Sequence, residues 1–564
     1  MGLAAHITLA ALTVIAAAAS GSHATATGQQ TLDAASEKIQ SGDLPGAIRL
    51  LEPLAHETGT QAPRAWSALG RAYQQAHQVD KAIAAYQQAL ELDPDMPRTL
   101  YSLGVAYAAK GDADRAFEWL GRARDSRRYD MTEMTVDADL NRLRADPRFS
   151  ALLPHPEDFD NPFVEPVKII REWRGEAAEG QFGWIARNIG DVDGDGIADV
   201  ATSAPTHGAA GSNAGRIYVF STGTGKLLWT ADGSPGDQLG TGIEAAGDTN
   251  RDGIPDVVAS GPAGTGVAYI YSGRDGRMLQ SFKSSNPDES FGNHISGAGD
   301  FDRDGYADVI VGAPGKEGED KIPGHAYVYS GRDGHLLLSL EGEHAGDEFG
   351  STVAGYSDGK QQLLVVGAPR AGVRRHGRVY VYEGTSSKPK FVIEADATGV
   401  ALGAMFVSVP GDMDGDGFSE IYASDWSNAA KGRSTGRIYV HSGRTGRRLF
   451  TLTGETSGDG FGTSPSGSGD VDGDGRADLI VGAWQYGKAA VSGGRAYLYS
   501  GRGGALLRTY TCKIPGDTFG FDAVGMGDVD GDGSIDLLIT SAWSAVHGHH
   551  SGRVFIISSG LPRR

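Results

Sequence analysis

The sequence predicts a two-part protein, an array of paired antiparallel helices followed by a seven-bladed β-propeller. Three observations carry this reading. Residues 30–125 repeat small and large apolar positions with a 34-residue period. From Gln181 onward a longer unit recurs seven times, with steps of 57, 52, 58, 53, 59 and 58 residues between its opening Phe or Leu positions. Six of these units contain an acidic phrase such as GDVDGDGIADV, Gly190–Val200.

Composition sets the outer limits. The chain of 564 residues has room for more than one core, and 84 glycines with 22% charged residues suit a folded protein rich in tight turns. A formal net charge of −20 argues against a nucleic-acid partner and favours a cation or simple solubility. Cys512 is the sole cysteine, so no intrachain disulfide can form. Residues 1–24 read as an export signal: an apolar run from Ile7 to Ala19, then small residues with a plausible cleavage point at Ser22-His23-Ala24. The rival is a retained anchor, for which the run is short. No later segment is long and apolar enough to span a bilayer, so the expected location is periplasm, cell surface or extracellular space.

The helical part is clearest at residues 63–96, with Trp66, Leu69, Gly70, Tyr73, Ala82, Tyr86, Ala89 and Pro94. The next copy has Leu100, Leu103, Gly104, Tyr107, Ala116, Leu120 and Ala123, and an earlier one Ala35, Ala47, Leu51 and Leu54. Small residues fall where two helices cross. The pattern resembles the tetratricopeptide repeat, and Asp137–Leu153 resembles the helical cap that ends such arrays; the domain then runs from 30 to 153. The resemblance implies a concave face that binds a peptide or protein, with a spacer or dimerisation arm as the alternative. Pro154–Pro166 carries four prolines in 13 residues and reads as an extended, stiff linker.

Each unit of the second part, residues 167–564, has the same internal order. An Asp-rich turn follows a first strand, then come apolar strands such as Ala307–Pro314, His325–Gly331 and His335–Gly342. Four antiparallel strands repeated seven times form a propeller. The last unit stops at Arg553–Gly560 without a fourth strand. The segment Val167–Gly183 parallels His335–Gly350, so the N-terminal strand is expected to complete the last blade and hide its edge.

The acidic phrases are calcium chemistry. Alternate positions of a tight turn point inward, Ca²⁺ takes six to eight hard oxygens, and glycine at position six permits the bend. The candidate ligands are Asp191, Asp193, Asp195 and Asp199; Asp248, Asn250, Asp252 and Asp256; Asp300, Asp302, Asp304 and Asp308; Asp412, Asp414, Asp416 and Glu420; Asp470, Asp472, Asp474 and Asp478; and Asp528, Asp530, Asp532 and Asp536. The ninth residue is expected to close each site. An EF-hand would need glutamate at position twelve and flanking helices. Two carboxylates 4 Å apart repel by about 4 kcal/mol at an effective dielectric near 20, so an ion is needed to hold four together. Asn250 and Glu420 predict two sites of altered, weaker binding. Ala354–Leu364 is two residues short and has one aspartate, which predicts a plain hairpin without calcium in the fourth blade. About six structural calcium ions are expected in all.

Gly-Asp before the loop, Gly-Ala-Pro after it (Gly312–Pro314 and Gly367–Pro369) and Val-Tyr-Val-Tyr further on resemble FG-GAP repeats, the propeller of integrin alpha chains and many secreted bacterial proteins. The resemblance implies structural calcium on one rim and ligand contacts on the other. Trp426, Trp484 and Trp543 depart from the pattern by standing where proline is usual. They are candidate partner-binding residues on the far rim, or else fillers between blades.

Other motifs are weaker. Gly355–Gly359 matches a hydrolase nucleophile elbow but sits between strands, and Gly482–Lys488 nearly makes a phosphate loop without its Ser or Thr. His547, His549 and His550 form a cluster that suits an exposed loop or a transition metal. The expected function is an exported, calcium-binding interaction or adhesion-type scaffold with a protein or glycan partner. The alternative is an enzyme or carbohydrate-binding protein acting on surface polysaccharide or lipid.

Overall fold

The computed structural model describes residues 28–57, 61–263, 266–316, 321–463 and 466–561. The proposed export signal lies outside the described residues. The chain divides into two compact units between Pro154 and His155.

The first unit is helical: α1 (Gly28–Gln40), α2 (Leu44–Ala55), α3 (Ala62–Gln75), α4 (Val79–Leu92), α5 (Pro97–Lys110) and α6 (Ala113–Asp125). Each helix packs on the next. Glycine is required at the crossing of α3 and α4, because a Cβ on Gly70 would stand 2.5 Å from the Tyr86 ring. Leu100, Leu103, Leu120 and the later residues Leu140, Leu143, Phe149 and Leu152 share one core. The expected cap is two short pieces, a 3-10 turn at Ala138–Leu143 and a helix at Pro147–Ala151. Pro147 disfavours a helical Asp146, which instead caps the second piece.

In the second unit seven sheets of four strands follow one another around a ring. Blade one comprises Ala186–Asn188, Val200–Ala204, Arg216–Phe220 and Leu227–Asp232, all antiparallel. The second strands are almost wholly buried, as in Asp308–Ala313 and Asp478–Ala483, which suits their largely apolar sequence. The recurrent Phe-Gly has a geometric cause. Phe291, Phe349, Phe461 and Phe519 are fully buried, and a Cβ on Gly350 would meet the His325 carbonyl at 2.1 Å.

Closure occurs as expected. Ile169–Arg174 pairs with Arg553–Ser558, aligning Glu172 with Phe555 and Trp173 with Val554, and completes blade seven. First strands of neighbouring blades meet at the centre. There the Arg187 guanidinium of blade one bridges Glu244 of blade two and Asp522, which precedes the first strand of blade seven. Asp522 also accepts the Ala186 and Ala523 amides. His294 is half-buried nearby, and desolvation with the Arg187 charge pushes its pKa down to about 4.

Residues 155–166 do not form the extended, stiff linker that the prolines of 154–166 suggested. Pro156–Phe159 is a 3-10 turn, and both Phe159 and Phe163 are buried in the propeller unit. The Phe163 ring lies 4.9 Å from Phe519 and 5.7 Å from Phe555. The Val164 amide donates to the Thr511 carbonyl, the Lys513 amide donates to the Pro162 carbonyl, and Glu165 accepts the Thr511 amide at 2.7 Å. The segment therefore continues the outer edge of blade six. Apolar burial outweighs the stiffness of its prolines.

Blade four has the plain hairpin read from its short turn, with Thr352–Ser357 paired to Gln362–Ala368 without a register shift. Two glutamines tie it to its neighbours. Gln361, 2% exposed, accepts the Ser419 amide of blade five at 2.9 Å. Gln362 donates to the Asp300 and Phe301 carbonyls of blade three.

Two substitutions test these assignments by calorimetry of the full chain. Phe163→Ala is expected to destabilise the propeller transition by about 3–5 kcal/mol, the cost of emptying a buried aromatic site; an unshifted transition would restore the linker reading. Gln361→Ala is expected to cost about 1–3 kcal/mol by stranding the Ser419 amide, and no loss would show that this amide finds another partner.

Candidate functional site

The six acidic turns connect the first and second strands of blades one, two, three, five, six and seven. Because strands alternate in direction, all six emerge at the same end of the blades as the turns between third and fourth strands. The turns share one hydrogen-bond scheme. The first aspartate accepts the amide of the position-six glycine, at 2.8 Å for Asp191 and Gly196 and at 2.8–3.0 Å in the other five. The position-three side chain accepts the position-five amide, as Asp193 does from Asp195 and Asn250 from Asp252. The position-five carboxylate accepts the position-seven amide, as Asp195 does from Ile197 and Asp532 from Ser534.

These bonds curl the backbone so that the side chains converge. Position six has positive φ throughout, 87° at Gly196 and 88° at Gly305. Position four does too, although Arg251 and Arg303 occupy it in blades two and three. That second left-handed position has no glycine signature in those two blades, which hid it from sequence reasoning. Oxygen ligand atoms of Asp191, Asp193 and Asp199 lie within 4.8 Å of one another, as do those of Asp300, Asp302 and Asp304, of Asp412, Asp414, Asp416 and Glu420, and of Asp470, Asp472 and Asp474. A carboxylate has about four lone-pair sites, so the one to three backbone bonds accepted at positions one, three and five leave oxygen capacity for an ion. The all-oxygen donor sets fit a hard divalent cation.

The ninth residue does more than close the turn. Asp199 is fully buried, and its Oδ2 accepts the Val192 amide at 2.9 Å while its Oδ1 accepts the Thr222 amide at 3.0 Å. Asp256, Asp308 and Asp478 reach Gly273, Gly331 and Gly501 in the same way. The acidic turn is thereby locked to the next hairpin of its own blade. Burial raises these carboxyls, Asp199, Asp308 and Asp478 to about 6.

Two turns differ. Glu420 uses Oε2 to accept the Met413 amide, and its extra methylene leaves Oε1 buried without a partner among the described residues. Burial raises its pKa to about 8. In blade seven the third and fourth strands are not consecutive in the chain, so no hairpin joins them beside Asp536, whose Oδ1 has no partner among the described residues and whose pKa rises to about 7 through burial. The Lys168 ammonium lies 2.6 Å from Asp530 and 3.0 Å from Asp532. This turn already holds a positive charge from the closing strand.

The tryptophan rim is corrected by the structure. Trp426 and Trp484 are buried, 7% and 6% exposed, and Trp543 is half-buried. Trp484 and Trp543 pack edge to face at 5.0 Å beside Phe521 and Trp184. Trp484 and Trp543 fill space between blades, and with Trp426 buried the three side chains form no shared exposed patch. The hydrolase-like Ser357 lies at a strand end opposite Gln362, and Gly482–Lys488 leaves a strand into a turn, with no helix for a phosphate. At the ring centre Glu244 and Asp522 are engaged by Arg187, an arrangement that fastens strands.

Comparison with known proteins agrees with this geometry. Residues 182–220 match the FG-GAP repeat family, residues 248–311 and 470–539 the FG-GAP-like repeat family, and residues 70–111 the TPR repeat family. Integrin alpha-4 of Xenopus laevis is 30% identical over 253 residues, 41% of this chain and 24% of that protein. Integrin alpha-2 of Bos taurus is 32% identical over 169 residues, 27% of this chain and 14% of that protein. Integrin alpha-IIb of Homo sapiens is 32% identical over 167 residues, 26% and 16%. The matches span a quarter or less of each relative's length. The chain carries FG-GAP repeats homologous to those of integrin alpha chains, folded as a seven-bladed propeller, with a tetratricopeptide repeat on their N-terminal side.

Proposed function

We propose that this protein is an exported interaction or adhesion-type scaffold whose propeller is stabilised by structural calcium in its six acidic turns. The observation that carries the reading is the conserved geometry among the six turns themselves. Each sets its position-one, -three and -five side chains by the same backbone hydrogen bonds and buries a ninth carboxylate behind them. Such a set of oxygens is costly without a cation and favourable with one. Kinship with integrin alpha propellers supports a binding role with a protein partner, and the apolar run at residues 7–19 supports export. No described helix is long and apolar enough to cross a membrane. Blade four is proposed to bind no ion, and the Glu420 and Lys168-occupied turns to bind most weakly.

Calcium should bind the folded turns and hardly the unfolded chain, adding about 2.7 kcal/mol per site at a hundredfold excess over the dissociation constant. The pH dependence follows from the raised carboxyls. A carboxyl whose folded pKa is raised contributes stability that is present below its unfolded value, near 4. That stability is lost as pH rises through the folded values, here about 6 for Asp199 to about 8 for Glu420. Calcium replaces those protons. The melting temperature of the propeller should therefore fall on chelation, and by more at pH 8 than at pH 5. A melting temperature indifferent to chelator at pH 8 would contradict structural calcium.

The binding role is tested by capture from an envelope extract on immobilised full-length protein, in calcium and in chelator, alongside a glycan array. A protein captured only in calcium supports the scaffold. Glycan binding without protein capture would favour the carbohydrate-binding alternative.

A further inference from the structure

We propose that Glu179, His549 and His550 form a transition-metal site that clamps the two ends of the propeller together. It is separate from the acidic turns and lies at the opposite end of the blades, where the loop between the second and third strands of blade seven meets the segment that follows Ile169–Arg174. The histidines were open to an exposed-loop reading, but His549 is 8% exposed. Its Nδ1 lies 2.6 Å from Glu179 Oε1, and His550 Nδ1 lies 3.8 Å from Glu179 Oε2. The ligand atoms of all three fall within 4.8 Å of one another. The imidazoles stack with centroids 3.7 Å apart, and the Trp543 ring stacks on His550 at 5.2 Å.

Comparison among the blades shows that the fold does not itself require these residues. In blades one, five and six the same backbone bonds join Gly236 to Ser212, Gly458 to Arg433, and Gly516 to Val491, as Glu179 is joined to His549. A second set joins Gln238 to Asn213, Gly460 to Ser434, and Thr518 to Ser492, as Gln181 is joined to His550. The position of Glu179 is thus glycine in those three blades, with φ of 75–88°, and Glu179 keeps a φ of 61°. That left-handed backbone favours glycine. Only across the closing seam does this arrangement hold a carboxylate opposite two histidines, among the four compared.

Two imidazole nitrogens and one carboxylate suit a borderline divalent ion such as Zn²⁺ or Co²⁺ and are poor ligands for calcium. Zinc bonds of about 2.0–2.2 Å place tetrahedral donors somewhat over 3 Å apart, which small side-chain movements would reach from the present spacing. The fourth position would be left to water. Because Glu179 follows the first strand and the histidines precede the last, the ion would join segments 370 residues apart in sequence across the seam.

The test is zinc titration of the full chain in saturating calcium, read by calorimetry, by the visible absorption of a cobalt-substituted sample, and by melting. One tight zinc per chain, a four-coordinate cobalt spectrum and a raised propeller melting temperature are expected. Glu179→Gly and the pair His549→Ser with His550→Asn install what blade one carries, so the variants should fold with unchanged calcium response. They should lose the cobalt spectrum and weaken zinc by at least about 100-fold. Absence of stoichiometric zinc binding, or zinc binding equal in wild type and in both variants, would overturn the proposal.

Discussion

The propeller depends on holding carboxylates close together at the ends of its buried strands. Four acidic or amide side chains on nine residues repel or crowd one another, and the turn would open without compensation. The compensation begins with the backbone. Asp191, Asp193 and Asp195 each accept at least one amide from within their own turn, and Asp199 accepts those of Val192 and Asp193 from the turn and that of Thr222 from the next hairpin. The chain thus preorganises its oxygens, and on the proposed function a cation would complete the neutralisation. This makes the turn a corner fitting between strands. Its effect reaches the core because Asp199 and its counterparts are wholly buried and sit at the head of the central strands.

Repetition then turns a local device into a ring, and its exceptions mark where the ring needs something else. Blade four has too short a turn for the device and uses Gln361 and Gln362 to reach both neighbours. Blade seven lacks a following hairpin, and Lys168 from the closing strand supplies a charge to its turn. The centre is fastened by Arg187 between two carboxylates. A buried ion pair of this kind adds little net stability over apolar packing, yet removing one partner would leave a buried charge at a cost of about 3–5 kcal/mol. It therefore favours one register of blades one, two and seven.

Much of this was legible in the sequence, since it rests on repetition. Spacing of Phe182, Leu239, Phe291 and their successors counted the blades, and the missing strand after Gly560 pointed to Val167–Gly183. The acidic turns were legible because ion ligands need fixed residue types at fixed positions. What escaped were contacts made between units or by unremarkable residues. The prolines of 154–166 signal stiffness, whereas the fate of that segment is decided by Phe159 and Phe163 finding pockets far away in sequence. Trp484 and Trp543 admit both a surface and a filler reading, and only their partners Phe521 and Trp184 decide for the filler. His549 and His550 gain meaning only opposite Glu179, which no local pattern links to them.

On the proposed function six turns, and not seven, hold calcium. Equilibrium dialysis of the metal-free full-length protein against radiolabelled calcium measures the number directly. The account predicts about six ions per chain, the weakest of them lost first on substituting Glu420 or the blade-seven aspartates. A chain that binds none, or one whose calcium count is unchanged when Asp191, Asp300 and Asp470 are replaced together by alanine, would contradict it.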